Sequence, residues 1–363
     1  MKALIYNEIR IFFSKRNVGI FIIGCLSMVG LFYFYFVPVH TGYISNQVYY
    51  YEQMMNSDTT RAQIITNQIN QMKEIDEDTK RLEKSRDFWQ ADFENCRQVS
   101  YSLIHEDTSS IAEAMIKRDK LLQKTIDEGG DLSSYSIMLR KNETDLKNRI
   151  KLYDMYIEKH FYDFVYEKMP TACYVLSNLF YFGGIAVIVI LACILLSNFD
   201  CWSKDFESST FKLLFTMTSS RKKIYISRTI VTTIATIILS LILISILFAL
   251  GYINYGLGNE ILVIVENTFV PIGTWCIKNL IILIELVAVL STVIQVISLM
   301  TKNSGLSLLI PCLCLLIVLT DYDLYYSLFS INTLTLGIII LLIILVHICM
   351  IIYIEKIDLI GTD

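Results

Sequence analysis

A chain that carries repeated uninterrupted apolar runs of about 20 residues has few folds open to it, because that is the length an α-helix needs to cross a bilayer core. Lipid offers no hydrogen bonds, so a spanning backbone must satisfy itself within a helix or a closed barrel. Runs over residues 18–37, 171–199, 229–253, 278–300, 306–319 and 334–354 predict six spans, the fifth short and containing Pro311. The expected fold class is an all-α polytopic membrane protein, and the mean hydropathy of +0.51 agrees with it.

Charge is partitioned along the chain. Of 31 Lys and Arg and 35 Asp and Glu, 18 and 23 fall between residues 39 and 170. There Leu139, Leu146, Ile150, Tyr153, Ile157, Phe161 and Phe164 recur at helical spacing, as do Ile65, Ile69, Met72 and Leu82 earlier, so this large insertion between spans one and two reads as a helical domain. Gly129-Gly130-Asp131 and Ser133-Ser134 mark a break, which predicts long helices folded back as a hairpin or small bundle. A charged run is also simply a solvated helical face, and the apolar seam argues against a flexible tether.

The first 13 residues place Ile5, Ile9 and Phe12 on one face and Lys2, Glu8 and Arg10 largely away from it, the pattern of an N-terminal helix lying in the membrane interface. The run that follows is too long for a signal peptide and lacks a small-residue cleavage site, so it reads as a retained span. Lys2, Arg10, Lys15 and Arg16 precede span one; Lys204, Lys212, Arg221, Lys222, Lys223 and Arg228 lie between spans two and three. Lys302 and Lys356 fall on the same side, whereas Glu260, Glu266, Asp321 and Asp323 dominate the other. The positive-inside rule then puts both termini in the cytoplasm of a multi-pass cell-membrane protein and the polar insertion outside. Three regions follow: residues 1–38 with the interfacial helix and span one, 39–170 as an extracellular helical domain, and 171–363 with spans two to six and a cytoplasmic loop at 200–228.

Site chemistry is sparse. Of nine cysteines, Cys25, Cys193, Cys312, Cys314 and Cys349 lie in apolar runs, where Cys acts as a small hydrophobe. Cys96 stands well inside the polar region without a partner pattern, while Cys173 and Cys276 both fall near the outer face, where a bridge is one reading. His40, His105, His160 and His347 are scattered, and His347 and Cys349 point to different helix faces. No metal site, catalytic residue or cofactor in this chain is expected. Asn142-Glu143-Thr144 is a formal glycosylation acceptor.

The stretch DFESSTFKLLFTMTSSRKKIYISR, Asp205 to Arg228, interrupts the apolar runs. Phe211, Leu214 and Phe215 form an apolar stripe that Thr218 and Lys222 continue, with Lys212, Arg221 and Lys223 elsewhere, so a short amphipathic helix at the cytoplasmic face is predicted. Such helices also serve merely to bind anionic headgroups. Glu207, Thr210, Lys212, Leu213-Leu214, Ser220-Arg221 and Ile224-Tyr225, in this order and spacing, resemble the cytoplasmic loop of ABC-2 type transporter permeases. The chain departs from that pattern at Ser209, where Gly is usual, at Thr218, where Pro is usual, and at Arg228, where Lys is usual. The resemblance extends to the N-terminal helix and the six-span topology but not to residues 40–169.

It implies that the loop couples to a separate ABC ATPase subunit that binds ATP and Mg. Glu207, Thr210, Lys212, Leu213, Leu214, Arg221, Ile224 and Tyr225 would then be the coupling residues. No G-x-x-x-x-G-K-[ST] stretch lies in this chain. It further implies a homodimer, or a heterodimer with a related permease, in membrane lipid, with no nucleic acid, exporting amphipathic cargo such as an antimicrobial peptide or another hydrophobic substrate, with an ion or drug as the further alternative.

Glu285 is a carboxylate about two turns into span four, costly unless it faces protein or water. Either it lines the substrate path or a subunit interface, or span four begins later and Glu285 sits at the outer interface. The rival to the exporter is a membrane sensor or scaffold whose extracellular helical domain binds a ligand. A membrane-embedded enzyme comes third, since no convergent His, Ser or Asp set lies in the spans.

Overall fold

The structure is a computed structural model that describes residues 2–72, 77–105, 107–128, 143–159, 161–162, 169–180, 184–210, 220–265, 268–321 and 333–356. The Gly129-Gly130-Asp131 break and the re-entrant segment that LYYSLF at 324–329 suggests lie outside the described residues. The chain forms two compact units, one of Met1–Phe36, Pro170–Asn259 and Ile272–Asp363, the other of Val37–Met169 and Glu260–Pro271.

The first unit holds α1 (Lys2–Phe12), α2 (Lys15–Leu31) and a π-helical turn over Phe32–Phe36. It continues with α7 (Ala172–Ser177), α8 (Ile185–Asn198), α9 (Ser203–Glu207) and α10 (Arg221–Tyr255). Helices α11 (Ile272–Thr301), α12 (Ser304–Thr320) and α13 (Thr333–Lys356) complete it. Among the described residues, four helical stretches, beginning at Lys15, Ile185, Arg221 and Ile272, are long and apolar enough to cross a membrane. The protein is therefore read as a mainly helical membrane protein. Helix α12 is shorter, at 17 residues, and carries Pro311.

Two elements differ from the sequence expectation. The run 171–199 is not one helix: α7 ends in a turn at Asn178, and α8 starts anew after Gly184. The start of α7 is pinned instead to the chain after α10, with the Ala172 and Cys173 amides donating to the Gly256 and Leu257 carbonyls at 3.0 Å each. Gly251 permits this crossing, since a Cβ there would stand 2.9 Å from the Ala172 backbone, closer than atoms pack. Cys173 and Cys276 are both free thiols, and Cys276 Sγ donates to the Cys173 carbonyl at 3.5 Å.

Polar residues tie the long helices together. Asn198 at the end of α8 donates to Thr236 Oγ1 of α10 at 3.1 Å and accepts from Ser291 of α11 at 3.2 Å. Gln295 of α11 donates to Ser291 and to Thr233. Such bonds fix register between helices that lipid does not press together.

The second unit contains α3 (Val37–Gln71), α4 (Glu77–Ile104), α5 (Thr108–Asp127) and α6 (Glu143–Glu158). Trp89, Phe88, Cys96, Val99, Ile111, Leu122, Leu146, Tyr153 and Tyr156 are buried in one core, against which Ile65, Ile150, Ile157 and Phe161 pack, whereas Met72 is exposed and Leu139 and Phe164 lie outside the described residues. Charges enter this core as well. Asp92, fully buried, accepts from Arg118 Nε at 2.7 Å and Nη2 at 3.1 Å, and Asp119 accepts two bonds from Arg149.

The fold is not wholly α. β1 (Leu262–Val265) and β2 (Thr268–Pro271) pair antiparallel with Leu262 opposite Pro271 and Val265 opposite Thr268. These β-branched residues suit a pleated, half-covered surface better than a helix. Tyr156 Oη sutures the hairpin to α6, accepting from the Leu262 amide at 2.6 Å and donating to its carbonyl at 3.3 Å.

Candidate functional site

The loop after α8 begins as one turn of helix and leaves it through an unusual backbone. Helix α9 is five residues long, and Ser209, two residues beyond it, has φ of 57°. That is the left-handed region where glycine costs nothing and other residues cost about 1–2 kcal/mol. The position at which the resembling loops carry Gly is thus one where the backbone itself favours Gly. The residues 211–219 that follow, including Lys212, Leu213, Leu214 and Thr218, lie outside the described residues.

Beyond the loop, α10 places Arg228 two turns from its start. Its side chain is 4% exposed, and a guanidinium so buried requires anionic partners. Glu8 supplies one from α1, accepting from Nε at 2.9 Å and Nη2 at 3.4 Å. Asp205 of α9 supplies the other at 2.5 Å from Nη1, and the Cys201 carbonyl accepts from the same nitrogen at 2.9 Å. The Trp202 ring lies beneath the guanidinium, 4.5 Å from its carbon, a favourable cation–π placement. Arg228 therefore joins three segments that are remote in sequence.

This corrects the reading of the N-terminal helix. Glu8 is 3% exposed and Ile9 is 42% exposed, so the buried face runs through Ile5, Glu8 and Phe12. Phe12 and Ile5 pack on Val231 and Ala235 of α10. The cause is the counter-charge: a purely apolar α1 face would leave Arg228 with a single carboxylate.

A second pair lies alongside. Arg16 donates to both Asp200 oxygens, with Nη2 to Oδ1 at 2.8 Å, and to Asn17 Oδ1. Its guanidinium lies 5.3 Å from the Phe199 ring centre. The two clusters border a cavity of about 270 Å³ lined by Glu8, Arg16, Asp200, Asp205 and Arg228. Every carboxylate named here is engaged by a guanidinium, so the arrangement clamps segments rather than poising an acid or a base.

The other residues that the loop resemblance singles out divide by depth. Glu207 is exposed, yet it accepts from the Ser304 amide at 2.6 Å and the Ser304 hydroxyl at 2.8 Å, an anion at the first turn of α12. Thr210 donates to Asp205 Oδ1 at 3.3 Å. Arg221 opens α10, and the neighbouring Lys222 reaches Glu355 of α13 at 3.0 Å. Ile224 and Tyr225 are buried with Trp202, Leu299, Met350 and Ile354. Tyr225 stacks on Trp202 with ring centres 5.8 Å apart, and its hydroxyl shares a 2.8 Å hydrogen bond with His347 Nδ1. Those two residues anchor the loop from within.

Ser298 of α11 completes the anchoring, its Oγ accepting from the Trp202 and Ser203 amides at 3.1 and 3.0 Å. Glu285 lies apart from all this. It stands 13 residues into α11, roughly 20 Å along the axis, half-buried, with Oε2 lacking a hydrogen-bond partner among the described residues. Lys278 on the same helix is exposed and forms no ion pair with it.

Sequence reasoning missed Arg228 as the hub and Glu8 and Asp205 as its partners. The available signal was an arginine eight residues into the helix that becomes a long apolar run, a place where charge persists only when paired. Compared with protein-family profiles, curated proteins and solved structures, the chain has no match.

Proposed function

We propose that this chain is the membrane-spanning permease subunit of an ATP-driven exporter of the ABC-2 type. In this reading the chain spans the membrane six times with both termini cytoplasmic, and it works as a dimer with itself or a related permease. An ABC ATPase subunit binds ATP and Mg in the cytoplasm and docks on the loop 200–228. The cargo is amphipathic, an antimicrobial peptide being the class the resemblance favours.

The observation that supports this best is the clamp on Arg228. A loop that must carry force cannot hang free, and this one is fastened at its base to α1 through Glu8, to α10 through Asp205 and to α11 through Ser298. Pushing on residues beyond Ser209 would move α9, α10 and α1 together, which is how a short segment acts as a lever. Ile224 and Tyr225 then serve as the fulcrum, while Glu207, Thr210, Lys212, Leu213, Leu214 and Arg221 carry the contact with the ATPase.

Co-purification of the chain with a P-loop ATPase, followed by reconstitution, tests the reading. The Leu214→Ser, Arg221→Ala double variant should insert normally while transport-stimulated ATP hydrolysis disappears. Wild-type coupling in that variant would defeat the reading. The sensor or scaffold alternative is favoured by one feature, the cleft of about 580 Å³ in the second unit beside Trp89 and Phe93. It predicts ligand binding to this chain with no ATPase partner.

A further inference from the structure

In the second unit, two neighbouring helices bring together three side chains that sequence spacing does not group. Asp92 and Cys96 stand one turn apart on α4, and Asp58 faces them from α3. All three are buried, and one donor atom from each lies within 4.8 Å of the other two. Asp92 is already held by the bidentate bond from Arg118. Asp58 is not so served: it is fully buried, and neither carboxylate oxygen has a conventional hydrogen-bond partner among the described residues. What faces it is the Cys96 thiol, a weak donor.

A carboxylate placed in a core with only a weak thiol donor is costly. Two carboxylates and a thiol converging on one point are also the donor set that takes up a metal ion. We infer that Asp58, Asp92 and Cys96 form a binding site for a thiophilic divalent cation of the zinc class.

The chemistry selects the ion. A thiolate excludes magnesium and calcium, which require six or more oxygen ligands or several retained waters, and favours zinc-like ions. Donor atoms around a tetrahedral zinc lie roughly 3.5 Å apart, so side-chain rotations that close the triangle by about 1 Å suffice. The i, i+4 spacing of Asp92 and Cys96 puts both on one helix face. Arg118 would remain as the outer partner that orients Asp92, as carboxylate ligands generally require. Arg118 and Arg61 both act on Asp58 electrostatically, which lowers the affinity and makes the thiolate contribution decisive. The cleft of about 580 Å³ that Asp58 borders together with Trp89, Phe93 and Glu94 lies beside the site, and since all three ligands are fully buried, an ion enters only as side chains move aside. The inference is independent of the transport reading.

The test uses the full chain in detergent. After equilibration with zinc chloride and desalting, elemental analysis should find about one zinc per chain, falling at least tenfold in Asp58→Asn and in Cys96→Ser but not in the control Cys314→Ser. Cobalt chloride added to the wild type should give the intense near-ultraviolet thiolate-to-cobalt band, a reading that needs no variant to fold. Wild-type protein without retained zinc and without that band overturns the inference, as does zinc binding that Cys96→Ser leaves intact. An Asp58→Asn variant that gains thermal stability, in a protein whose stability zinc leaves unchanged, also overturns it and makes Asp58 a neutral buried acid.

Discussion

Glu8 and Arg228, 220 residues apart in the chain, meet as a buried bidentate ion pair with the shorter bond at 2.9 Å. Each is 4% exposed at its side chain, and Glu8 depends on Arg228 for its counter-charge while Arg228 shares Glu8 with Asp205. Removing Arg228 strands the Glu8 charge, which typically costs about 3–5 kcal/mol, whereas removing Glu8 leaves Arg228 with the single carboxylate of Asp205 and costs less. Arg228→Ala and Glu8→Ala should therefore each lower the thermal unfolding midpoint in detergent markedly. The double variant Glu8→Leu, Arg228→Met should recover part of the loss of the single variants, because the desolvation cost goes with the charges. Additive losses in the double variant would refute the pairing.

Ser209→Gly should stabilise the protein. With φ of 57°, the serine holds a conformation that glycine adopts freely, and relief of about 0.5–1 kcal/mol is expected after the added flexibility of the unfolded chain is counted. Ser209→Val should shift stability the other way. Unfolding midpoints of both variants check the sign.

Asp107 gives the second unit an acid-sensitive joint. Its carboxylate caps α5, accepting from Ser110 Oγ at 2.6 Å, the Ser110 amide at 3.2 Å and Ser109 Oγ at 2.9 Å. These bonds, the Ser110 hydroxyl first, hold its pKa below the ordinary value of 3.8. A depressed folded value means that the cap contributes stability above the unfolded pKa and loses it as pH falls through the lower folded one. The start of α5 should therefore fray only below about pH 4. In Asp107→Asn that acid-dependent step should vanish from the amide-exchange profile of residues 108–112.

Glu285 separates stability from function. Its Oε2, without a hydrogen-bond partner among the described residues, implies a standing cost of roughly 1–3 kcal/mol. Glu285→Leu should raise the unfolding midpoint, and if the carboxylate lines a substrate path, transport should fall in the same variant. A more stable and fully active Glu285→Leu protein would make the residue a position at the membrane edge without a transport role.

Much of the architecture could be read from residue order. Helical spacing located the seam of α6 and, at Ile65, part of that of α3, but not the core residues of α4 and α5, while apolar run length located the helices beginning at Lys15, Arg221 and Ile272. The break within 171–199 was not legible, because hydropathy registers the apolar character of the run and not the point, at Asn178, where its backbone leaves the helix. The hairpin Leu262–Pro271 was hidden for a related reason: four-residue strands carry too little periodicity to announce themselves. At the loop, the departure at Ser209 was visible as a residue type, but the left-handed backbone that gives it meaning was not.

What the sequence determined by itself was the solvent. Apolar runs of spanning length commit the backbone to helices in lipid, and the packed charges of 39–170 commit that region to water, whatever the packing. What only the tertiary structure decided was which charges meet. Amphipathicity put Glu8 on the polar side of α1, yet folding turned it inward, because the free energy of a buried guanidinium depends on the carboxylates within a few ångströms of it and not on its neighbours along the chain. Asp58, Asp92 and Cys96 are joined by the same logic, through proximity that no spacing in the sequence records.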